Sequence, residues 1–159
     1  MNVAVFWFRR DLRFEDNTAL IRALEDSNPV FPLFIFDSNI LSELAKNDAR
    51  VSFIYHRIKG LNDQLKKYES SISVLKGNPL DIWKSLVQEQ TITNVYFNKD
   101  YEPYAIHRDL TITNFLEAKG IKVHAYKDQV MYEEGDIVKD NKEPYTVFTP
   151  YKNKWLNKF

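Results

Sequence analysis

Cysteine is absent from the 159 residues, which removes disulfides, thiolate metal sites and cysteine nucleophiles from consideration and fits a reducing, cytoplasmic setting. Glycine is scarce. Gly60, Gly77, Gly120 and Gly135 are the full set, so none follows the first apolar run and no G-x-G-x-x-G phosphate loop can form there. No apolar stretch approaches the ~20 residues that a membrane span requires. The first strand begins almost at Met1 with no basic leader, and a soluble intracellular domain that does not engage a membrane is the expectation. Neither sign of charge is in excess, 22 Lys and Arg standing against 22 Asp and Glu, so no overall positive field draws this chain onto a phosphate backbone. DNA binding by these residues alone is not indicated.

What is present is enough apolar material for one globular domain with a real core: 44% of residues are hydrophobic and 14% aromatic. Residues 3–8 are apolar at nearly every position, as in a strand covered on both faces of a parallel sheet. Residues 30–36, 72–75, 95–97 and 123–126 are further short runs of branched and aromatic side chains. Helical signals fall between them. Residues 18–25 follow a cap at Asp16 or Asn17, and Asp48 caps a longer helix whose stripe is Val51, Ile54, Ile58, Leu61, Leu65 and Tyr68. Asn78-Pro79 opens a third helix with Ile82, Trp83, Leu86 and Val87 on its buried face, and a fourth runs from about 104 to 119 and stops at Gly120. The alternation predicts an α/β fold of three layers: a Rossmann-like open sheet of five parallel strands with helices on both faces and right-handed crossovers. After Tyr126 the pattern lapses, and 131–159 reads as a loop-like tail that packs back on the domain.

In place of glycines the first turn reads Arg9-Arg10-Asp11-Leu12-Arg13. Guanidinium forks bind oxyanions in pairs, so one reading holds an anion there; the other fastens the loop by pairing Arg9 or Arg13 with Asp11 or Asp16. In a doubly wound sheet that reverses beside its first strand, a crevice opens between the loops after strands one and four. Here the second of those loops, 98–105, sets Asp100 and Glu102 opposite the arginines and adds Tyr101 and Tyr104 as flat surfaces. Such a crevice suits a polar, planar ligand; alternatively the acids only neutralise the arginines and the tyrosines pack. Phe36 and Asp37 close the second strand at the same edge, and Arg50 opens the long helix, so both border the pocket, with a solvated turn as the local alternative for Asp37.

Other chemistries find no footing. His56, His107 and His124 lie on different elements without paired ligand spacing, so no metal is expected. No elbow glycines flank a serine, and Glu133-Glu134 reads as solvated surface.

Four blocks, WFRRDLRFEDNTAL at 7–20, PLFIFDSNIL at 32–41, DYEPYAIHRD at 100–109 and PYTVFTPYKNKWL at 144–156, resemble in order and spacing the pattern of the photolyase and cryptochrome family. The resemblance implies an N-terminal α/β antenna domain at 1–130 and a tail at 131–159 that leads to an interdomain linker. It further implies a flavoenzyme that splits ultraviolet-made cyclobutane pyrimidine dimers with blue light, whose catalytic FAD and DNA groove belong to a helical domain absent from these residues. On that view the domain alone is not catalytic, its partner is its own C-terminal FAD-binding domain, and damaged DNA is met only through the full-length protein. Arg9, Arg10, Asp37, Arg50 and Asp100 become polar contacts of an antenna chromophore and Phe36, Tyr101 and Tyr104 its ring neighbours, while Trp7, Trp83 and Trp155 pack in a core or an interface. Folate-binding members of the family carry a glutamate where this chain has Ala105, and alanine cannot replace its hydrogen bond. The expectation is therefore a deazaflavin or flavin (FMN or FAD) antenna over methenyltetrahydrofolate, with an empty site also known in the family. A cryptochrome photoreceptor and a stand-alone nucleotide-binding domain of the same fold are the alternatives.

Overall fold

Each apolar run becomes a strand. The structure is a computed structural model describing residues 2–159. β1 (Asn2–Phe8), β2 (Val30–Asp37), β3 (Ser73–Gly77), β4 (Thr91–Asn98) and β5 (Lys122–Tyr126) form one all-parallel sheet in the order β3-β2-β1-β4-β5. The helices are α1 (Thr18–Leu24), α2 (Ser38–Ser42), α3 (Ala49–Leu65), α4 (Pro79–Glu89), α5 (Pro103–Glu117) and α6 (Phe148–Lys158). The chain divides into two compact units, one ending at Asp128 and one covering Gln129–Phe159.

In the first unit the strand order reverses at β1. Because parallel crossovers keep one hand, the helices before and after that reversal fall on opposite faces of the sheet. Successive side chains of β1 point to opposite faces. Ala4, Phe6 and Phe8 therefore join Ala19, Leu20 and Ala23 of α1 and Ile58 and Leu61 of α3, whereas Val5 and Trp7 join Trp83 and Leu86 of α4 and Ile112 and Leu116 of α5. Trp7 and Trp83 meet edge to face with centroids 5.6 Å apart, and both are core residues. Tyr96 brings a hydroxyl into the layer packed with α1 and α3: it donates to Asp26 at 2.9 Å, and burial together with that carboxylate pushes its pKa up to about 12.

Two readings of the sequence change here. Tyr68 leaves the stripe of α3, because the helix ends at Leu65 and a 3-10 turn over Lys66–Tyr68 leads to Glu69 in a left-handed conformation (φ 53°). The ring is left 68% exposed, with the Lys67 ammonium 4.7 Å from its centroid. The second change concerns 131–159, which is not loop throughout, since α6 occupies Phe148–Lys158. Pro150 does not block it, because a proline in the first turn removes only an N–H that has no intrahelical partner. Within this second unit Trp155 stacks on Phe159 at 5.5 Å and takes Tyr132 edge-on at 5.4 Å. No helix among the described residues is long and apolar enough to cross a membrane.

Candidate functional site

The carboxyl ends of β1 and β4 are where the crevice was expected, and the register pairs Phe6 with Tyr96 so that both strands stop two residues later, at Phe8 and Asn98. In a dinucleotide fold the phosphate would sit on the exposed N–H groups of the first helix. Here the chain fills that seat itself. The Thr18 N–H and hydroxyl both donate to Asp128 at 3.0 Å, the Ala19 N–H donates to the Asn98 side-chain oxygen at 3.0 Å, and the Leu20 N–H donates to Asn17 at 3.2 Å. Arg13 pairs with the same Asp128 at 2.7 Å, and that carboxylate is only 3% exposed. No anion is held at α1 by free backbone donors.

Arg9 is withdrawn into the protein. Its guanidinium pairs with Asp109 and donates to the Asn98 carbonyl, while its carbon lies 4.4 Å from the Phe97 ring centroid and 5.1 Å from that of Trp7. Burial lowers its pKa from the usual guanidinium range, against the opposing pull of Asp109. Arg108 continues the chain of charges. It donates to Asp109 at 2.9 and 3.0 Å, approaches Asp37 at 3.9 Å, and lies over Trp7 (5.1 Å) and Tyr104 (5.8 Å). Asp37 is buried rather than a solvated turn: it caps α2 through the Asn39 N–H at 2.9 Å and accepts the Tyr104 hydroxyl at 2.6 Å. That hydroxyl in turn accepts from the Asn39 amide at 3.0 Å, so the tyrosine is held at both lone pair and proton. Burial and the Asp37 carboxylate raise its pKa.

Arg10 faces outward. Its side chain is 56% exposed and pairs with Asp100 at 3.1 Å and with Glu102 at 2.6 Å, and the hydrogen bond to Glu102 foremost raises its pKa. Glu102 occupies the N-cap position of α5 but makes no capping hydrogen bond, its carboxylate being turned to Arg10. Phe36 is half-buried against Phe34, and Tyr101 is half-buried with a partner of its own. Arg50 folds back on the cap of its own helix, donating to Asp48 at 2.7 and 2.9 Å; the hydrogen bonds from Arg50 lower that carboxyl to about 2. Direct contacts thus join Arg10 with Asp100 and Asp37 with Tyr104, whereas Arg9 is spent on the interior and Arg50 on its own helix end. Among the described residues no group of three or more His, Cys, Asp and Glu side chains is placed to hold a metal ion.

Sequence reasoning missed Asn98, Arg108, Asp109 and Asp128. One signal was available for two of them. The inward stripe of α5 carries Ala105, Ile112 and Leu116, and Arg108 and Asp109 fill its missing turn, a charged pair where an apolar residue would otherwise stand.

Asp128 makes acid stability a test of this arrangement. Burial raises its pKa, but hydrogen bonds from the Thr18 N–H, Arg13 and the Thr18 hydroxyl outweigh burial, so the folded value lies below the unfolded one. A depressed folded pKa contributes stability that is fully present above the unfolded value of about 4 and is lost as pH falls through the folded value. Asp128→Ala should therefore lower unfolding free energy by roughly 2 kcal/mol at neutral pH, with the gap closing as pH falls below the unfolded value of about 4. Urea unfolding across that range checks it, and a gap that stays constant would place the effect elsewhere.

The family model for DNA photolyase matches residues 4–159. The chain belongs to the DNA photolyase family. It corresponds to that family's N-terminal α/β domain. It is 31% identical over 151 residues to a deoxyribodipyrimidine photo-lyase of Synechococcus sp., covering 95% of this chain and 31% of that protein. It is also 31% identical over 154 residues to cryptochrome-2 of Arabidopsis thaliana, covering 96% of this chain and 25% of that protein. Among solved structures it is similar to an archaeal photolyase from Sulfolobus tokodaii, described with two FAD molecules and an implied novel light-harvesting cofactor: the TM-score is 0.73, identity is 34%, and coverage is 83% of this chain and 31% of that one. The chain thus spans about a third of the length of these photolyases.

Proposed function

We propose that this photolyase-family domain is a light-harvesting module that holds an antenna chromophore in the crevice between the loops after β1 and β4. Excitation passes from there to an FAD carried by the C-terminal domain of the parent protein, which repairs cyclobutane pyrimidine dimers in DNA. The observation that carries this reading is the unequal treatment of the two helices flanking the strand reversal. The amino end of α1 is sealed by Asp128, Asn98 and Asn17, while α5 begins without a side-chain cap beside the solvent-facing Arg10 and Tyr104. Tyr104 supplies a ring held in place through its hydroxyl, Arg10, Asp37 and Asp100 supply polar edges, and Phe36 and Tyr101 supply further walls. Through-space transfer asks only that a chromophore be held rigidly and oriented, so no proton donor or nucleophile is required of these residues. The Sulfolobus photolyase, with its second FAD, supports a flavin-type occupant, and Ala105 supports a deazaflavin or flavin over methenyltetrahydrofolate.

Fluorescence titration of the chain with deazaflavin, FMN and methenyltetrahydrofolate tests this. Saturable binding of one of the first two is expected; preference for the folate would overturn the use made of Ala105. Arg10→Ala should weaken that binding while shifting stability by less than about 1 kcal/mol, since an exposed ion pair contributes little. A cryptochrome photoreceptor is the second reading, and the equal identity to a photolyase and to a plant cryptochrome favours it as the competitor. Light-driven dimer repair by the full-length product supports the repair enzyme, and flavin binding without repair supports the receptor.

A further inference from the structure

The outer face of α5 carries apolar side chains and almost no charge. Ile106 and Leu110 lie one turn apart on it, 46% and 59% exposed, beside the exposed Pro103, His107 and Asn114. A helix face turned to water ordinarily holds charged residues at such positions. Here Arg108 and Asp109 are turned inward, and the exposed charges stand at the ends: Glu102 before the first turn, Glu117 in the last turn and Lys119 just past it. Phe53 and Tyr55 of α3 are exposed as well, but they share their helix with Lys59 and with Arg57, which donates to the Leu12 carbonyl at 2.7 Å. A copy of that face would meet like charge.

We propose that the outer face of α5 is a self-docking surface, on which a second copy of this chain packs antiparallel about a two-fold axis through Leu110. A two-fold contact sets a patch against itself, so it needs a surface that does not repel its own copy. An uncharged centre meets that need. Leu110 meets Leu110 of the second copy at the axis, and Ile106 meets Thr113 and Asn114, which lie about as far from Leu110 in the other direction. The ends then select the direction. Antiparallel packing brings Glu117 and Lys119 of one helix to the amino end of the other, where His107 and Glu102 stand. Helical side chains lean towards their own amino terminus, so Glu117 leans inward and His107 of the second copy leans outward, which closes the offset of about 6 Å between them along the axis. Glu102 already holds Arg10 at 2.6 Å, so the acid at that end is neutralised before Glu117 arrives. A parallel pair would instead set Glu117 against Glu117.

The absence of cysteine makes the arrangement directly testable. A single helix-on-helix contact belongs to the small class of interfaces, so sedimentation equilibrium of the 159-residue chain should show a dimer with a Kd of about 0.1 mM. Leu110→Glu puts like charges at the axis without touching the core, and should weaken association at least about tenfold. Leu110→Cys should give a disulfide-linked dimer under mild oxidation, because the axis brings that residue to its own copy, whereas Lys59→Cys, exposed on α3, should stay largely monomeric at the same concentration. A chain that remains monomeric up to about 1 mM leaves the face to a different partner and overturns the inference. A dimer that Leu110→Glu leaves unchanged, or equal crosslinking of the two cysteine variants, puts the contact elsewhere and overturns it too.

Discussion

Asn98→Asp is expected to lower the unfolding free energy by roughly 3–5 kcal/mol at neutral pH, the range for a buried charge left without its partner. Every polar atom of that side chain is in use. Its amide nitrogen donates to Asp11 at 2.6 Å and to Asn17 at 2.8 Å, and its oxygen accepts the Ala19 N–H at 3.0 Å, so one residue at the end of β4 fixes both the arginine loop and the start of α1. The replacement has the same shape but turns a donor into an anion facing the Asp11 carboxylate. Such a buried carboxyl has a raised pKa, so its destabilising effect is present above that pKa and fades as pH falls. The variant should therefore gain relative stability on mild acidification, while the unsubstituted protein, which depends on depressed carboxyls such as Asp128, loses it below about pH 4. Urea unfolding at a series of pH values reads both limbs. A loss under about 1 kcal/mol, or a deficit that grows on acidification, would mean that Asn98 is not the tie described.

Arg9 and Arg10 are neighbours in sequence and should behave as opposites. Arg9→Ala removes a 7%-exposed cation from beside Trp7 and Phe97, strips Asp109 of one of its two arginines and takes a donor from the Asn98 carbonyl. A fall of about 3–5 kcal/mol is expected. Arg9→Lys should recover only part of it, because an ammonium cannot reach a carboxylate and a carbonyl in one planar fork. Arg10→Ala touches an exposed pair and should leave stability almost unchanged while weakening chromophore binding. Equal melting shifts for the two variants would contradict the division of labour between an interior arginine and a crevice arginine.

The fold was legible because its signals were local. Alternating apolar runs and capped helical stripes placed the five strands, and Asn17, one of the two cap residues considered, does cap α1. Elements without such signals escaped: α2 has only five residues, too few for a period, and α6 hid behind a first-turn proline. The pairing of the arginine loop was half legible. Its arginines, acids and tyrosines could be named from the motif, and the alternative that Asp100 and Glu102 neutralise a guanidinium describes Arg10 as it stands. The partner of Arg9 is Asp109, on α5, and that of Arg13 is Asp128, beyond β5. Neither could be chosen by spacing along the chain, because a pairing across the sheet depends on strand order. Local pairing with Asp11 was realised through backbone N–H groups, Arg9 to the carboxylate at 2.8 Å and Arg13 to the carbonyl at 2.6 Å.

The most direct measurement is a crystal structure of this photolyase-family domain soaked with a deazaflavin or riboflavin ring. The ring should lie between the loops after β1 and β4, against Tyr104 and within hydrogen-bonding reach of Arg10 or the amino end of α5. A ring found instead at the opposite edge of the sheet, in the hollow of about 490 Å³ bordered by Lys84, Phe115 and Lys119, would contradict the account. So would a crevice still closed by Arg10, Asp100 and Glu102 at saturating ligand.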